Sequence, residues 1–73
     1  MIRFKTVSGS TYDADTDAMK IRRKDATHAV RGVPDGHWLP YEKLVIPGVG
    51  KRALVEFDDY CIFTSLVTEV QEL

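Results

Sequence analysis

The chain has 73 residues, a formal net charge of −1, 44% hydrophobic residues and one cysteine. A chain this short is one domain near the lower limit for a self-supporting core, and a lone Cys61 excludes an internal disulfide. The even charge argues against general coating of nucleic acid, which needs a basic domain.

The apolar runs are too short to span a bilayer, and the alternating start Met1-Ile2-Arg3-Phe4-Lys5 is not a signal peptide. A single cysteine also fits a reducing compartment. The expectation is a soluble intracellular protein with no membrane partner. Within the even total the charges are segregated: cations gather at Arg3, Lys5, 20–24 and 51–52, acids at 13–17, 56–59 and 69–72. Such segregation builds local patches on a neutral protein.

In chain order, residues 2–7 alternate, with Ile2 and Phe4 facing inward and Arg3 and Lys5 outward. Ser8-Gly9-Ser10 is a turn, and 11–14 returns as the second strand of a hairpin. A second turn over 15–17 feeds 19–24 as a third strand. Thr16 would also serve as the N-cap of a helix over 18–24, but the short turn into an alternating segment favours the strand. Residues 25–33 read as a long loop, and Pro34-Asp35-Gly36 as a turn. The segment 37–41 is short and extended, and Pro40 places it at a sheet edge. After 44–46 the run Pro47-Gly48-Val49-Gly50 turns the chain. Residues 51–57 form a strand with Ala53, Val55 and Phe57 on one face, and 60–64 is its hairpin partner across Asp58-Asp59. The last segment, 66–73, reads as a closing strand. Leu66, Val70 and Leu73 stand at helical spacing behind Ser65, whereas the β-branched Val67, Thr68 and Val70 favour the strand.

The sum is an all-β single domain over 1–73: a small antiparallel barrel or roll of five to six short strands, with room for a short helical turn. The expected core is Ile2, Phe4, Tyr12, Met19, Ile21, Trp38, Val45, Val55, Phe57, Ile62 and Leu66, with Cys61 as a small core residue.

Chemistry-bearing patterns are few. As a strand, Met19-Lys20-Ile21-Arg22-Arg23-Lys24 puts Lys20, Arg22 and Lys24 on one face at about 6.5–7 Å intervals, close to phosphate spacing along a nucleic-acid strand. Arg23 falls on the face of Met19 and Ile21 and needs a rim, a carboxylate or a ligand, because an unpaired buried charge is too costly. The same comb also reads as a solvated face paired with Asp13, Asp15 or Asp17. Trp38 and Tyr41, beside His37, would stack a base, or Trp38 would be the largest core residue. Asp13-Ala14-Asp15-Thr16-Asp17 matches the first half of a calcium loop, but Ala18 and Lys24 stand where glycine and glutamate are required. His28, His37 and Cys61 make no metal set, and no cofactor is implied. Gly48-Val49-Gly50-Lys51-Arg52 lacks the ending of a phosphate loop, and no spacing marks a nucleophile or triad. The chain reads as a non-enzyme.

Thr6-Val7-Ser8-Gly9-Ser10-Thr11-Tyr12, Ile21-Arg22-Arg23, Asp35-Gly36-His37-Trp38-Leu39-Pro40-Tyr41 and Thr64-Ser65-Leu66-Val67-Thr68-Glu69-Val70 occur in that order. The set resembles small uncharacterised accessory proteins encoded by tailed phages of actinobacteria. The resemblance implies a phage accessory protein acting in the host cytoplasm and carries over no site residues. What the resemblance implies is a binder: a sponge for a nucleotide signal in counter-defence, an inhibitor of a host enzyme or a nucleic-acid adaptor.

The expected function is therefore sequestration of an anionic, nucleotide-like ligand by a homo-oligomer. Lys20, Arg22, Arg23 and Lys24 would hold phosphate, and Trp38 or Tyr41 would stack. The alternative is a protein–protein inhibitor of a host factor, or a virion accessory part, acting through an exposed edge strand.

Overall fold

The computed structural model describes residues 1–25 and 36–73, with only the backbone of Asp25. The loop expected over 25–33 and the start of the turn at Pro34 lie almost wholly outside the described residues. Seven antiparallel strands form a curled half-barrel, and the described residues contain no helix. These are β1 (Ile2–Thr6), β2 (Thr11–Asp15), β3 (Lys20–Asp25), β4 (Leu39–Pro40), β5 (Lys43–Val45), β6 (Arg52–Glu56) and β7 (Cys61–Glu72). The sheet order is β4-β3-β2-β1-β7-β6-β5.

The first hairpin follows from its turn. Gly9 takes a φ of 91°, which glycine adopts without steric penalty, and its N–H donates to Thr6 O at 3.0 Å. That turn sets Phe4 opposite Tyr12 and Arg3 opposite Asp13. The Phe4 and Tyr12 rings stack inside, 4.9 Å apart and 13° from parallel. The second turn excludes the helix that Thr16 would have capped. Asp15 Oδ1, rather than Thr16, accepts the N–H groups of Asp17 and Ala18, each at 3.1 Å, and this folds the chain straight back into β3.

The stretch 39–45 joins the two edges of the sheet. Successive amides of an extended chain point to opposite sides. Tyr41 N–H donates to Met19 O at 3.0 Å and Glu42 N–H to Glu56 O at 2.7 Å. One stretch therefore passes from β3 to β6, which curls the sheet.

β7 is one strand of 12 residues where the sequence suggests two elements. Its first half pairs with β6 and its second half with β1. Two register shifts bend it. Leu54 faces Phe63 while Arg52 faces Leu66, and Lys5 faces Glu69 while Thr6 faces Val67. Each shift leaves one extra residue in β7, the signature of a β-bulge.

The core gathers Phe4, Tyr12, Ala14, Ile21, Tyr41, Ala53, Val55, Phe57 and Val67. Five residues expected in it are exposed: Met19, Trp38, Val45, Cys61 and Leu66. Met19 ends the second turn at a φ of 53°. Trp38 precedes Leu39, which takes the inward place beside Ile21. Val45 sits outside because Leu44 pairs with the buried Val55, and Cys61 sits outside opposite Glu56. Leu66 is turned out by the first bulge, and Val67 is buried instead.

Candidate functional site

β3 alternates from Lys20 to Arg23, after which a register shift against β2 leaves Lys24 as the extra residue of a β-bulge. Ile21 and Arg23 are buried inside, while Lys20 and Lys24 are exposed and Arg22 is half-buried on the outer face. Across that face runs one row, set by strand register: Gln71, Arg3, Asp13 and Arg22 on four adjacent strands. Asp13 is the keystone of the row and only 1% exposed. Arg3 Nε donates to its Oδ1 at 2.7 Å and Arg3 Nη2 to its Oδ2 at 3.2 Å. Arg22 Nη2 donates to Oδ2 at 3.1 Å. The hydrogen bonds from Arg3, aided by those from Arg22, hold the Asp13 carboxyl below its ordinary range against the opposing effect of burial. One carboxylate thus serves two guanidinium groups, and the cluster keeps a net positive charge.

Trp38, just before β4, extends the row beyond Arg22. The guanidinium carbon of Arg22 lies 4.5 Å from the Trp38 ring centroid, within cation–π range. Arg22 is clamped between a carboxylate and an indole, so its position is fixed. Lys20 and Lys24 are different. Among the described residues neither makes an ion pair, although Lys20 stands opposite Asp15. Asp15 Oδ1 is already engaged by the turn. Of the three aspartates expected to neutralise the comb, only Asp13 does so.

Arg23 and Tyr41 belong to the other side of the sheet. Arg23 is 3% exposed and stands opposite Tyr12, with whose hydroxyl it and Ser10 share hydrogen bonds. Burial raises the Tyr12 phenol above its ordinary value, and Arg23 and Ser10 pull it part of the way back. Tyr41 is also buried, and it lines a pocket of about 300 Å3 with Ile2, Thr16, Met19, Glu42 and the start of β5. Burial first, and the Asp15 charge second, raise its phenol.

The structure therefore brings Lys20, Arg22 and Trp38 together, leaves Lys24 exposed at the bulge that follows, and sets Arg23 and Tyr41 apart from them. Sequence reading named Asp13 as one possible partner of the comb, though on a solvated face rather than buried, and missed Arg3. The signal was present: once Gly9 closes the hairpin, Phe4 opposite Tyr12 forces Arg3 opposite Asp13.

No family model, curated protein or solved structure matches the chain. Among the described residues no group of acids, histidines and cysteine is arranged to hold a metal, and no helix is long and apolar enough to cross a membrane.

Proposed function

We propose that this chain is a non-enzymatic binding protein for a phosphate-bearing, nucleotide-like ligand, held on the outer face of β3. Lys20 and Lys24 contact phosphate, Arg22 presents a fixed positive centre between them, and Trp38 offers its remaining ring face to a base. Arg23 and Tyr41 support this face from within. In the setting implied by the phage resemblance, the activity is sequestration of a nucleotide signal in the host cytoplasm.

The observation that carries the reading is Arg22, locked between the buried Asp13 carboxylate and the Trp38 ring, with two exposed lysines, Lys20 and Lys24, that make no ion pair among the described residues. A fixed cation loses little freedom on binding, and phosphate is recognised by such prepositioned donors. The alternative of strand addition to a partner protein has little room at the two ends of the sheet, whereas residues 68–72 of β7 pair with β1 alone. The two sheet edges are β4, with 2 residues including Pro40, and β5, with 3.

Calorimetric titration with a panel of linear and cyclic nucleotides tests the proposal. Binding should weaken at least about tenfold with Lys20→Ala plus Lys24→Ala and weaken with added salt. An absence of heat for every nucleotide, together with an unchanged melting temperature, overturns it.

A further inference from the structure

The outer face on the opposite side of the sheet, formed by β5, β6 and β7, carries no part of the site above. Strand register builds one apolar row there: Val45 faces Leu54, and Leu54 faces Phe63. Phe63 is 64% exposed and Val45 37% exposed. Leu66, also exposed, stands one bulge further along opposite Arg52. A phenylalanine this open to water, beside other apolar side chains, marks a contact surface more often than a chance surface residue.

The outer side of β6 reads Arg52, Leu54, Glu56, with its charges at opposite ends and the leucine between them. Neither Arg52 nor Glu56 forms an ion pair among the described residues. This sequence is self-complementary. A two-fold axis along the row Val45–Leu54–Phe63 runs the β6 strands of two copies antiparallel, face to face. Arg52 of each copy then meets Glu56 of the other, twice by symmetry, and the apolar rows of the two copies cover each other. Isologous contacts require such self-complementarity, and any other occupant would have to supply the same charge order by coincidence.

We propose that a second copy of this chain docks here, so that the protein is a two-fold dimer joined through the outer face of β5–β7. This does not rest on the ligand-binding reading and leaves the Lys20, Arg22 and Trp38 faces of both copies open. The molecule measures 26 × 24 × 18 Å, so the contact is small and the dimer is in rapid exchange with monomer.

Sedimentation equilibrium at high micromolar concentration tests the proposal, with circular dichroism confirming that each variant is folded. Wild type should dimerise. Arg52→Glu and Glu56→Arg should each raise the dimer dissociation constant at least about tenfold, since each sets like charges opposite one another. Mixing these two variants should restore association as a heterodimer, and the double variant should dimerise again. Phe63→Ser should be monomeric. A wild-type chain that stays monomeric, or a dimer indifferent to both charge reversals, overturns the proposal. Failure of the mixed variants to associate does so as well.

Discussion

The Arg22 guanidinium lies 4.5 Å from the centre of the Trp38 ring while one of its nitrogens holds Asp13 at 3.1 Å. The pair links β3 to the segment entering β4, adding to the two strand residues of β4 and to the backbone hydrogen bonds from Gly36 N–H to Arg23 O and from Tyr41 N–H to Met19 O. A double-mutant cycle with Arg22→Ala and Trp38→Ala, followed by urea unfolding, should give a coupling of about 0.5–1 kcal/mol. Trp38 is the only tryptophan, so Arg22→Ala should also make its fluorescence more accessible to a soluble quencher. A coupling of zero would make the stack incidental and remove the main support for a prepositioned site.

Asp13 makes stability sensitive to acid. Its carboxyl is held below the ordinary 3.8, first by the Arg3 hydrogen bonds, so the folded state favours the ionised form. A depressed acid contributes stability that is complete above the unfolded value and disappears as pH falls through the lower folded value. Unfolding free energy should therefore fall as pH drops below 3.8, and Asp13→Asn should flatten that fall. At neutral pH the same substitution should cost about 1–3 kcal/mol, because two half-buried arginines lose their shared acceptor. Equal acid sensitivity in wild type and variant would show that other carboxylates control it.

Arg23 has the opposite surroundings from Arg22. It is buried against Tyr12, a core residue 2% exposed. Arg23→Ala should destabilise by about 1–3 kcal/mol by leaving the Tyr12 hydroxyl short of a buried partner. Tyr12 and Tyr41 both have raised phenols, so two of the three tyrosines should ionise above pH 10.0 in a spectrophotometric titration of the folded protein. A raised phenol contributes stability that is present below the unfolded value and lost as pH rises through the folded one. The chain should therefore lose stability above pH 10.0, and more of it after Arg23→Ala, because Arg23 is one of the groups that lower the Tyr12 phenol toward its ordinary value.

Much of the fold is legible in the sequence where the period is unbroken. Phe4, Tyr12, Ile21, Val55 and Phe57 were placed inside by strict alternation, and all are buried. Pro40 marked an edge strand correctly. The failures lie where the period changes. In β7 the buried residues are Thr64 and Val67, three apart, because the first bulge adds one residue to the two-residue repeat. The residues whose spacing made 66–73 ambiguous, Leu66, Val70 and Leu73, are all exposed, and Leu66 was assigned to the core because the bulge that turns it out is not visible in the sequence. The site was half legible for a related reason. Alternation along β3 puts Lys20 and Arg22 on one face, but Asp13 and Arg3 join them only through cross-strand register, which no single segment displays.

The turn between β2 and β3 holds the one strained non-glycine residue among those described. Met19 takes a φ of 53°, in the left-handed region, where an L side chain crowds the following carbonyl by about 1–2 kcal/mol. The conformation persists because it is held from several sides. Asp15 fixes the turn before it, Lys20 pairs with Pro40 after it, and its own carbonyl accepts the Tyr41 N–H that ties 39–45 to β3. The side chain is 43% exposed, so little packing offsets the strain. Met19→Gly should therefore stabilise the chain by about 0.5–1 kcal/mol, the relief of strain exceeding the extra entropy glycine gives the unfolded state. Met19→Val should do the reverse, since a β-branched residue tolerates this region least. Thermal unfolding of the two variants decides it: glycine below wild type would mean that the methionine side chain, through the Tyr41 cavity that it lines, stabilises the turn more than the backbone strain weakens it.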